Sequence, residues 1–310
     1  MAEVPTRKRY EIISQTIKND NNELNITLLC KIAQVSRSGY YEFIKRQNED
    51  NPIEQKDRKD FELILDAYNY RGYKKGSRSI HMRLLHNGTP MNRKKIQRLM
   101  RKYNLKCPIR KPNPYKMMLK ESEVSEVAEN LLERKFREYG PRYVLLTDIT
   151  YLFYGRGNKA YLSSIKDAYT KEILAHVVSS NMKEDFVLET INILMNNHKH
   201  ELKTDALIHS DQGIHYKAYT FKELLNNSQL RQSMSRKANC WDNAPQESFH
   251  GHMKDEIDLS NCNTIEDVKK VIDDYIDYYN NDRYQWDLAK LSPSEYYKYT
   301  MTGDYPLKKD

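Results

Sequence analysis

Long apolar runs, a leader peptide and cysteine pairs are the features that this sequence lacks. No run of about 18 apolar residues occurs, so we expect no membrane-spanning helix and no membrane partner. Residues 1–9 lack the apolar stretch of a signal peptide. The 310 residues include four cysteines and no CxxC pair, which argues against a zinc site and a disulfide framework. We therefore expect a protein of the reducing cytoplasm.

Charge is plentiful but unevenly distributed. The chain holds 51 Lys and Arg against 43 Asp and Glu, a net charge of +8 at pH 7. Residues 1–120 contain 27 basic and 12 acidic residues, whereas the remainder contains 24 and 31. A basic N-terminal third beside a mildly acidic body is typical of a protein that grips a polyphosphate with one part and does something else with the other. The alternative is that the charge serves solubility alone.

Residues 1–50 are predicted to form short helices. The run Ser-Arg-Ser-Gly at 36–39 is typical of a turn and an N-cap, and it precedes a helical segment at 40–44. Two interpretations remain open for this region. It is either a small helix-turn-helix or a helical arm that packs against the rest of the protein.

Residues 55–104 are predicted to form a domain of the helix-turn-helix type. The pattern predicts three helices, over residues 61–70, 77–86 and 93–103. Asn92 is placed to cap the third helix. That helix buries Ile96, Leu99 and Met100 and leaves a mainly cationic surface formed by Arg93, Lys94, Gln97, Arg98 and Arg101. Such a surface suits a DNA major groove lined by phosphates, and its alternative is an ordinary solvated helix face.

Residues 105–141 are interpreted as a basic, proline-rich linker followed by a short acidic helix near 121–137. From residue 142 to about 300 the pattern becomes α/β. Strands are predicted over 142–154, 160–166, 172–179, 206–209 and 230–234, with a hairpin turn at 155–158. Helices are predicted over 185–198, 217–227, 244–257 and 264–280. Three antiparallel strands followed by alternating helices and strands is the element order of the ribonuclease H-like fold.

Three acidic residues of this α/β region are candidate catalytic and metal-binding residues. Asp148 lies in the middle of the first strand, on the face of apolar Val144 and Leu146, where an unpaired carboxylate is costly. Asp211 follows a buried-type strand, at the end of the strand where α/β sheets place ligand groups. Each has a structural alternative, as a salt-bridged Asp and as an ordinary loop Asp.

Glu247 is the third candidate, and its position is predicted from helix-start signals. Asn243 is placed to cap the helix, Gln246 to complete a capping box, and Pro245 to lie in the first turn. Glu247 then lies near the positive end of the helix dipole, although such a Glu often serves helix stability alone. Lys254 follows seven residues later, two turns on, and shares the face of Glu247.

The spacing of the three acids favours a common site. Between Asp211 and Glu247 lie 35 residues, and three carboxylates that converge from separate elements can hold two hard divalent cations. Two such metals can clamp the attacking and leaving oxygens of a phosphodiester. Asp167 and Asp205, at turns, are interpreted as structural. The histidines at 209, 250 and 252 are expected on the surface or in support of the site.

Three signatures resemble one family. The runs Leu-Leu-Thr-Asp148-Ile-Thr-Tyr, His-Ser-Asp211-Gln-Gly and Asn-Ala-Pro-Gln-Glu247-Ser, with Lys254, resemble the catalytic motifs of the transposases of the third family of bacterial insertion sequences, within the retroviral-integrase superfamily. The resemblance covers nearly the whole chain. It includes the accessory helix-turn-helix and a C-terminal Leu-Ser-Pro-Ser-Glu-Tyr run. His250 departs from it, because the family usually has Phe there.

The resemblance implies a DDE-type enzyme that cuts and joins DNA with two Mg²⁺ ions per site, for which Mn²⁺ can substitute. It implies that Asp148, Asp211 and Glu247 are the ligands and that Lys254 contacts DNA or steadies Glu247. The expected partners are double-stranded DNA, as element ends and target, and further copies of the chain on that DNA. An upstream-frame product, or a fusion with it, is a further implied partner, and the expected location is the bacterial nucleoid. Two rivals remain: a hydrolytic ribonuclease H-like nuclease and a non-catalytic DNA-binding regulator.

Overall fold

A computed structural model describes residues 4–18, 23–48, 52–73, 75–107, 138–235 and 244–307. Backbone contacts divide the chain into two compact units, Met1–Leu63 and Ile64–Asp310. The acidic helix expected near 121–137, most of the expected linker and the expected cap Asn243 lie outside the described residues. In the described parts of the chain, no helix is both long enough and apolar enough to cross a lipid bilayer.

Short helices form the first unit, as the sequence predicts. They are α1 (Thr6–Ile17), α2 (Ile26–Ile32), α3 (Arg37–Asn48) and the first part of α4 (Pro52–Asn69). The Ser36 hydroxyl accepts a hydrogen bond from the Gly39 N–H, which confirms the expected N-cap, although α3 begins three residues earlier than predicted. A small core of Ile13, Leu29, Cys30 and Tyr40 holds α1, α2 and α3 together.

The three helices of the expected helix-turn-helix region are present, but the first is longer than predicted. Helix α4 begins at Pro52 rather than near residue 61, since a proline at the first helical position is already set to the helical φ. Helix α5 spans Ser77–His86 and α6 spans Arg93–Lys102. The Asn92 side chain accepts from the Lys94 N–H and so caps α6. Ile96, Leu99 and Met100 are buried, as predicted.

Helix α5 is joined to the polypeptide that follows the last long helix of the second unit. The buried Arg83 guanidinium donates to the Asp282 carbonyl oxygen at 2.9 Å and lies 3.7 Å from the centre of the Tyr70 ring. A nitrogen of His86 lies 2.9 Å from the Lys290 carbonyl oxygen. Because these contacts are buried, α5 is part of the structure of the second unit.

A five-stranded mixed sheet lies at the centre of the second unit. Its strands are β1 (Val144–Tyr154), β2 (Asn158–Asp167), β3 (Ile173–Ser179), β4 (Leu207–Ser210) and β5 (Arg231–Met234), in the spatial order β3-β2-β1-β4-β5. Strand β1 pairs antiparallel with β2, and β2 antiparallel with β3. Strand β4 is parallel to both β1 and β5. This is the topology that the ribonuclease H-like element order predicts.

Helices cover both faces of the sheet. They are α7 (Glu184–His198), α8 (Ile214–Lys217), α9 (Tyr219–Asn227), α10 (Ala244–Glu256), α11 (Ile265–Asn281) and α12 (Pro293–Thr302). Leu145 and Ile165 pack with α7 and α9 on one face, whereas Leu152 and Leu162 pack with α10 and α11 on the other. Successive strand residues point to opposite faces, so the even-numbered residues of β1, Asp148 included, face α10.

Helix α12 is absent from the sequence-based prediction. Ser292 caps it by accepting from the Glu295 N–H, and the Glu295 carboxylate accepts from the Ser292 N–H in return. Pro293 stands at its first position, and Gly303 ends it with a φ of +79°. These residues form a capping box with an N1 proline, a start signal that can be read from sequence.

The tip of the β1–β2 hairpin is fixed to the segment that follows α10. Gly155 has a φ of +53°, and its N–H donates to the Leu259 carbonyl oxygen at 3.1 Å. A Cβ at this position would lie 2.8 Å from the Cys262 carbonyl oxygen. Both the backbone conformation and the lack of space therefore require glycine here.

Arg142 forms a buried ionic cluster just before β1. Its guanidinium donates to Asp167 at 3.1 Å, to Glu172 at 2.7 Å and to Glu201 at 2.9 Å. Asp167 is fully buried and also accepts from the Tyr169 N–H, as expected for the structural role predicted for it. The neighbouring acids raise the pKa of Arg142 above its ordinary value, although its burial opposes them.

Candidate active site

Asp148 lies in the middle of the central strand β1. It shares a face with the buried Val144 and Leu146, and its side chain is 19 % exposed. One carboxylate oxygen accepts a hydrogen bond from the Ile149 N–H at 2.9 Å. In the antiparallel pair, Asp148 stands opposite Ser164 of β2. Pairing with β2 therefore fixes the backbone that carries this carboxylate.

Asp211 directly follows β4, the parallel neighbour of β1. Leu146 pairs with His209, and continuing this register by two residues aligns Asp148 with Asp211. Neighbouring strands lie roughly 4.8 Å apart, so the two acids belong to the same end of the sheet. The Asp211 carboxylate accepts from the Gly213 N–H at 2.8 Å, and a Cβ at Gly213 would come within 2.9 Å of that oxygen.

Glu247 lies exposed in the first turn of α10, with Pro245 in the same turn as predicted. The side-chain amide of its neighbour Gln246 donates to the Ser164 hydroxyl at 2.7 Å, which attaches the start of α10 to β2. The Asn243 half of the expected capping box lies outside the described residues. The start of α10 is thus tied to the strand residue that stands opposite Asp148.

The charges of the three acids act on one another. The pKa of Asp211 is raised above its usual value, chiefly because neighbouring protein atoms displace water from the carboxylate, although the residue as a whole stays exposed. The Gly213 N–H opposes this rise, and the negative charges of Asp148 and Glu247 add to it. Such mutual repulsion is relieved by a bound cation, and three carboxylates supply the hard oxygen ligands that Mg²⁺ prefers. The donor set therefore fits a divalent cation.

The described side chains do not yet enclose a cation. Among residues that the structure describes, no three His, Cys, Asp or Glu side chains are close enough to surround a metal ion. One oxygen each of Asp148 and Asp211 is held by a backbone N–H. Glu247 stands on a separate helix.

Lys254 lies on α10 two turns after Glu247, and its ammonium reaches β1. Its Nζ donates to the Thr150 hydroxyl at 2.6 Å. Thr150 is two residues from Asp148 on the same face of β1, so Lys254 places a positive charge next to the acidic residues. Of the two residues that the sequence predicts on one helix face, Lys254 therefore contacts the sheet, whereas Glu247 is exposed.

Three family models match the chain. An integrase core domain matches residues 138–240, a second integrase core domain matches 247–301, and an HTH-like domain matches 54–113. The first of these ranges contains Asp148 and Asp211, and the second begins at Glu247. The two acids of the sheet therefore fall in the first integrase core match, and the acid of α10 falls in the second.

Curated relatives decide the family. The chain is 32 % identical over 273 residues to the putative transposase InsK for insertion sequence element IS150 of Escherichia coli K12, covering 86 % of this chain and 92 % of that protein. It is 31 % identical to an IS600 insertion element protein of Shigella sonnei, covering 86 % and 97 %. The chain belongs to the insertion-sequence transposases with an integrase core. Among solved structures, it resembles the HTLV-2 integrase catalytic core domain in complex with magnesium, with a TM-score of 0.40 and 14 % identity over 52 % of this chain and 99 % of that chain.

One histidine of the transposase lies deeper than the sequence suggests. His250 is 5 % exposed, and its two ring nitrogens lie 3.5 Å from the Asp148 carboxylate and 3.1 Å from the Ser164 hydroxyl. Burial lowers the pKa of His250, although Asp148 opposes this effect. The surface alternative considered for His250 is therefore wrong, because α10 buries its ring against the sheet. His252, on the outer side of α10, is exposed.

His209 is buried in β4, where one ring nitrogen lies 3.0 Å from the Ser233 hydroxyl of β5. That contact joins two strands of the sheet. It gives His209 a structural role in the transposase, at a position two residues before Asp211.

The outer residues of α6 in the transposase do not all face the same way. Lys94, Gln97, Arg98 and Arg101 are exposed, and Arg93 is half-buried. Gln97 and Arg101 line a cleft of about 1550 Å³ whose other walls include Ser248 of α10 and Trp286. The remaining three residues are outside that lining, and of these Lys94 and Arg98 are exposed.

Proposed function

We propose that this transposase cuts DNA at the ends of its element and joins the freed 3′-hydroxyl to target DNA, with Asp148, Asp211 and Glu247 as the catalytic residues. The observation that carries the proposal is the parallel register of β1 and β4, whose last pair is Leu146 and His209. Extended by two residues, this register would bring Asp148 beside Asp211. The mutual charge effect that includes Glu247 supports a common site. The family membership supports the reaction class.

The three carboxylates are the residues that would hold two Mg²⁺ ions, with Mn²⁺ as a substitute. When bound, two such ions supply charge neutralisation at the phosphate and activation of the attacking oxygen. The protein's contribution is orientation. The Ile149 N–H restrains Asp148, the Gly213 N–H restrains Asp211, and the Gln246–Ser164 hydrogen bond attaches the turn that carries Glu247.

Lys254 is proposed to receive a DNA phosphate beside the acidic residues. Three carboxylates repel a phosphodiester, and an ammonium on the same face opposes that repulsion as a point charge. The Thr150 hydroxyl holds the Lys254 ammonium two residues from Asp148. A DNA strand whose phosphate binds the Lys254 ammonium is thereby held close to the three carboxylates.

DNA is proposed to be gripped mainly by the N-terminal third of the chain. The first turn of α6, with Arg93 and Lys94, is the candidate contact, followed by Gln97, Arg98 and Arg101. We propose that copies of the chain assemble on the two element ends, as synapsis of two ends requires. An upstream-frame product or fusion remains a proposed partner, and association with the nucleoid follows from binding of DNA.

Strand-transfer assays test the proposal. Purified transposase would be mixed with labelled duplexes taken from the DNA that flanks its gene, a supercoiled target plasmid and Mg²⁺. We expect labelled strands covalently joined to the plasmid, and none when EDTA is present. Cut strands that are never joined would identify a hydrolytic nuclease. If the protein binds duplexes that carry the element ends but produces neither cut nor joined strands, it is a DNA-binding regulator.

A further inference from the structure

A chain of buried side chains connects α10 to Asp148 of β1 by way of Ser164 on the neighbouring strand β2. The Gln246 amide nitrogen donates to the Ser164 hydroxyl oxygen at 2.7 Å. The same hydroxyl lies 3.1 Å from His250 Nε2. His250 Nδ1 lies 3.5 Å from the second carboxylate oxygen of Asp148. Gln246 and Ser164 have no exposed surface, and His250 has 5 %.

The donors and acceptors of this chain can be assigned from chemistry. An amide nitrogen only donates, so Ser164 Oγ accepts from Gln246 and keeps its own proton. A ring nitrogen without a proton would repel the Asp148 carboxylate, so Nδ1 carries the proton that faces it. Nε2 then carries no proton and accepts a hydrogen bond from the Ser164 hydroxyl. Each link fixes the next, and the direction of donation runs toward Asp148.

We propose that His250 is a positioning residue for the cation-binding carboxylate of Asp148, and that Ser164 and Gln246 set the orientation of its ring. The proposal rests on the proposed function, since it assumes that Asp148 binds a divalent cation. The Ile149 N–H holds the first oxygen of Asp148, and His250 contacts the second. One oxygen accepts a hydrogen bond and the other lies 3.5 Å from the His250 ring, so rotation of the carboxylate is restricted. The remaining lone pairs of the carboxylate then point in a fixed direction for binding a cation.

The same chain restrains Glu247. Gln246 precedes Glu247 in the first turn of α10, so the bond from Gln246 to Ser164 holds that turn at a set distance from β1. A polar group buried without its partner is costly, so breaking one link perturbs the others.

Substitution of His250 by Phe tests the proposal, because it keeps a ring of similar size and removes both nitrogens. Mn²⁺ binding to the full chain, without DNA, would be followed by the electron paramagnetic resonance signal of the free ion. We expect His250→Phe to weaken binding by about 10- to 100-fold, the size typical of losing a partner of a metal ligand. His252→Phe, on the exposed side of the same helix, is the matched control and should bind as the wild type does.

A kinetic measurement separates positioning from general damage. With His250→Phe, the Mg²⁺ concentration for half-maximal strand transfer should rise in proportion to the loss of Mn²⁺ affinity. The rate at saturating Mg²⁺ should change much less. His250→Asn keeps an N–H near the place of Nδ1 and should recover most of the affinity. An unchanged Mn²⁺ affinity in His250→Phe, or a His250→Asn variant as weak as His250→Phe, would overturn the proposal.

Ser164→Ala provides a second test that does not depend on the folding of His250→Phe. It removes the far partner of His250, and we expect weaker Mn²⁺ binding together with a lowered melting temperature, so binding is measured at a temperature at which the variant is fully folded. Combined with His250→Phe it should add little, since the chain is already broken. Normal Mn²⁺ binding by Ser164→Ala would contradict the chain. The proposed function fails in a different way, namely if wild type and an Asp148→Asn, Asp211→Asn double variant bind Mn²⁺ equally.

Discussion

Lys254 and Thr150 join α10 to β1 beside the acidic residues. The Lys254 ammonium donates to the Thr150 hydroxyl at 2.6 Å, and Thr150 lies two residues from Asp148 on the same face of the strand. The Thr150 hydroxyl is a neutral acceptor, so this contact does not itself neutralise the charge of the Lys254 ammonium.

Lys254→Ala is expected to weaken binding of pre-cut DNA ends by roughly tenfold, as for loss of one hydrogen bond between charged groups. Lys254→Glu should weaken it further, because it adds a repulsive charge. Lys222→Ala, an exposed lysine of α9, is the control and should have no effect. End binding would be measured by fluorescence anisotropy, and stability by thermal unfolding. A lower melting temperature with normal end binding would make Lys254 a structural residue.

Amide substitutions of the acids are expected to remove activity and to preserve the fold. Asp148→Asn, Asp211→Asn and Glu247→Gln keep the shape of each side chain but lose the charge that a hard cation requires. Cleavage and strand transfer should fall below detection, with circular dichroism spectra unchanged. Asp205→Asn is a suitable control, because Asp205 is exposed and has a φ of +59°, which Asn tolerates. Near-normal activity of any of the three variants would contradict the assignment.

The first turn of α6 is expected to contribute to the salt dependence of DNA binding. Each phosphate contact adds about 0.9 to the slope of log affinity against log salt. Replacing both Arg93 and Lys94 with Ala should therefore lower the slope by roughly 1.8. The measurement is a series of binding titrations of the full chain at rising salt. Lys222→Ala with Lys269→Ala removes two exposed charges elsewhere, and an equal effect of this control would argue against α6.

Arg142→Met is expected to destabilise the protein strongly. It leaves the fully buried Asp167 without its cationic partner, and breaking a buried ion pair typically costs about 3–5 kcal/mol. The free energy of unfolding would be measured with urea. Lys171→Ala breaks the more exposed pair with Asp287, and such pairs contribute roughly 0–1 kcal/mol. A similar small effect of both variants would show that Asp167 finds other partners.

Lys75 is expected to make stability depend on pH above neutrality. Its buried ammonium donates to the carbonyl oxygens of Tyr68, Tyr70 and Tyr73. Burial, assisted by Arg83, lowers the pKa of Lys75 to about 8, from an ordinary value of 10.5. Between these values the unfolded chain binds the proton and the folded chain releases it, so stability rises with pH.

Comparison with Lys75→Met isolates that contribution from other titrating groups. The variant should be less stable at pH 7, because three carbonyl groups lose their donor. The stability of the wild type relative to the variant should increase from pH 8 toward pH 10. Urea unfolding at several pH values measures the difference. A constant difference over this range would mean that Lys75 keeps its ordinary pKa in the folded protein.

The strands and the placement of the acids were accessible from sequence because they depend on local periodicity. The turn at 155–158 even determines the register, since Tyr154 opposite Asn158 places Asp148 opposite Ser164. His250 was accessible in the same way. His250 lies three residues after Glu247 and four before Lys254, so the three residues share one face of the helix. The sequence-based prediction nevertheless assigned only Glu247 and Lys254 to that face.

Other features depend on context that a pattern does not contain. Helix α4 starts at Pro52 although the run from 54 to 60 is mostly charged, so no apolar stripe announces it. The contact of His250 with Ser164 requires α10 to lie over β2, which is a tertiary arrangement. The burial of Arg83 likewise depends on residues about 200 positions away. The boundaries proposed for the domains remain predictions.

The turn at Gly155 has a practical consequence for anyone who wishes to tag this protein. A hairpin tip of two strands is ordinarily a convenient place for an inserted peptide or a fluorophore. Here the tip is bonded through Leu259 to the segment that leaves α10. An insertion at the tip would therefore disturb the C-terminal end of α10, the helix that carries Glu247, His250 and Lys254. A label at the exposed Lys222 of α9 avoids that mechanical connection.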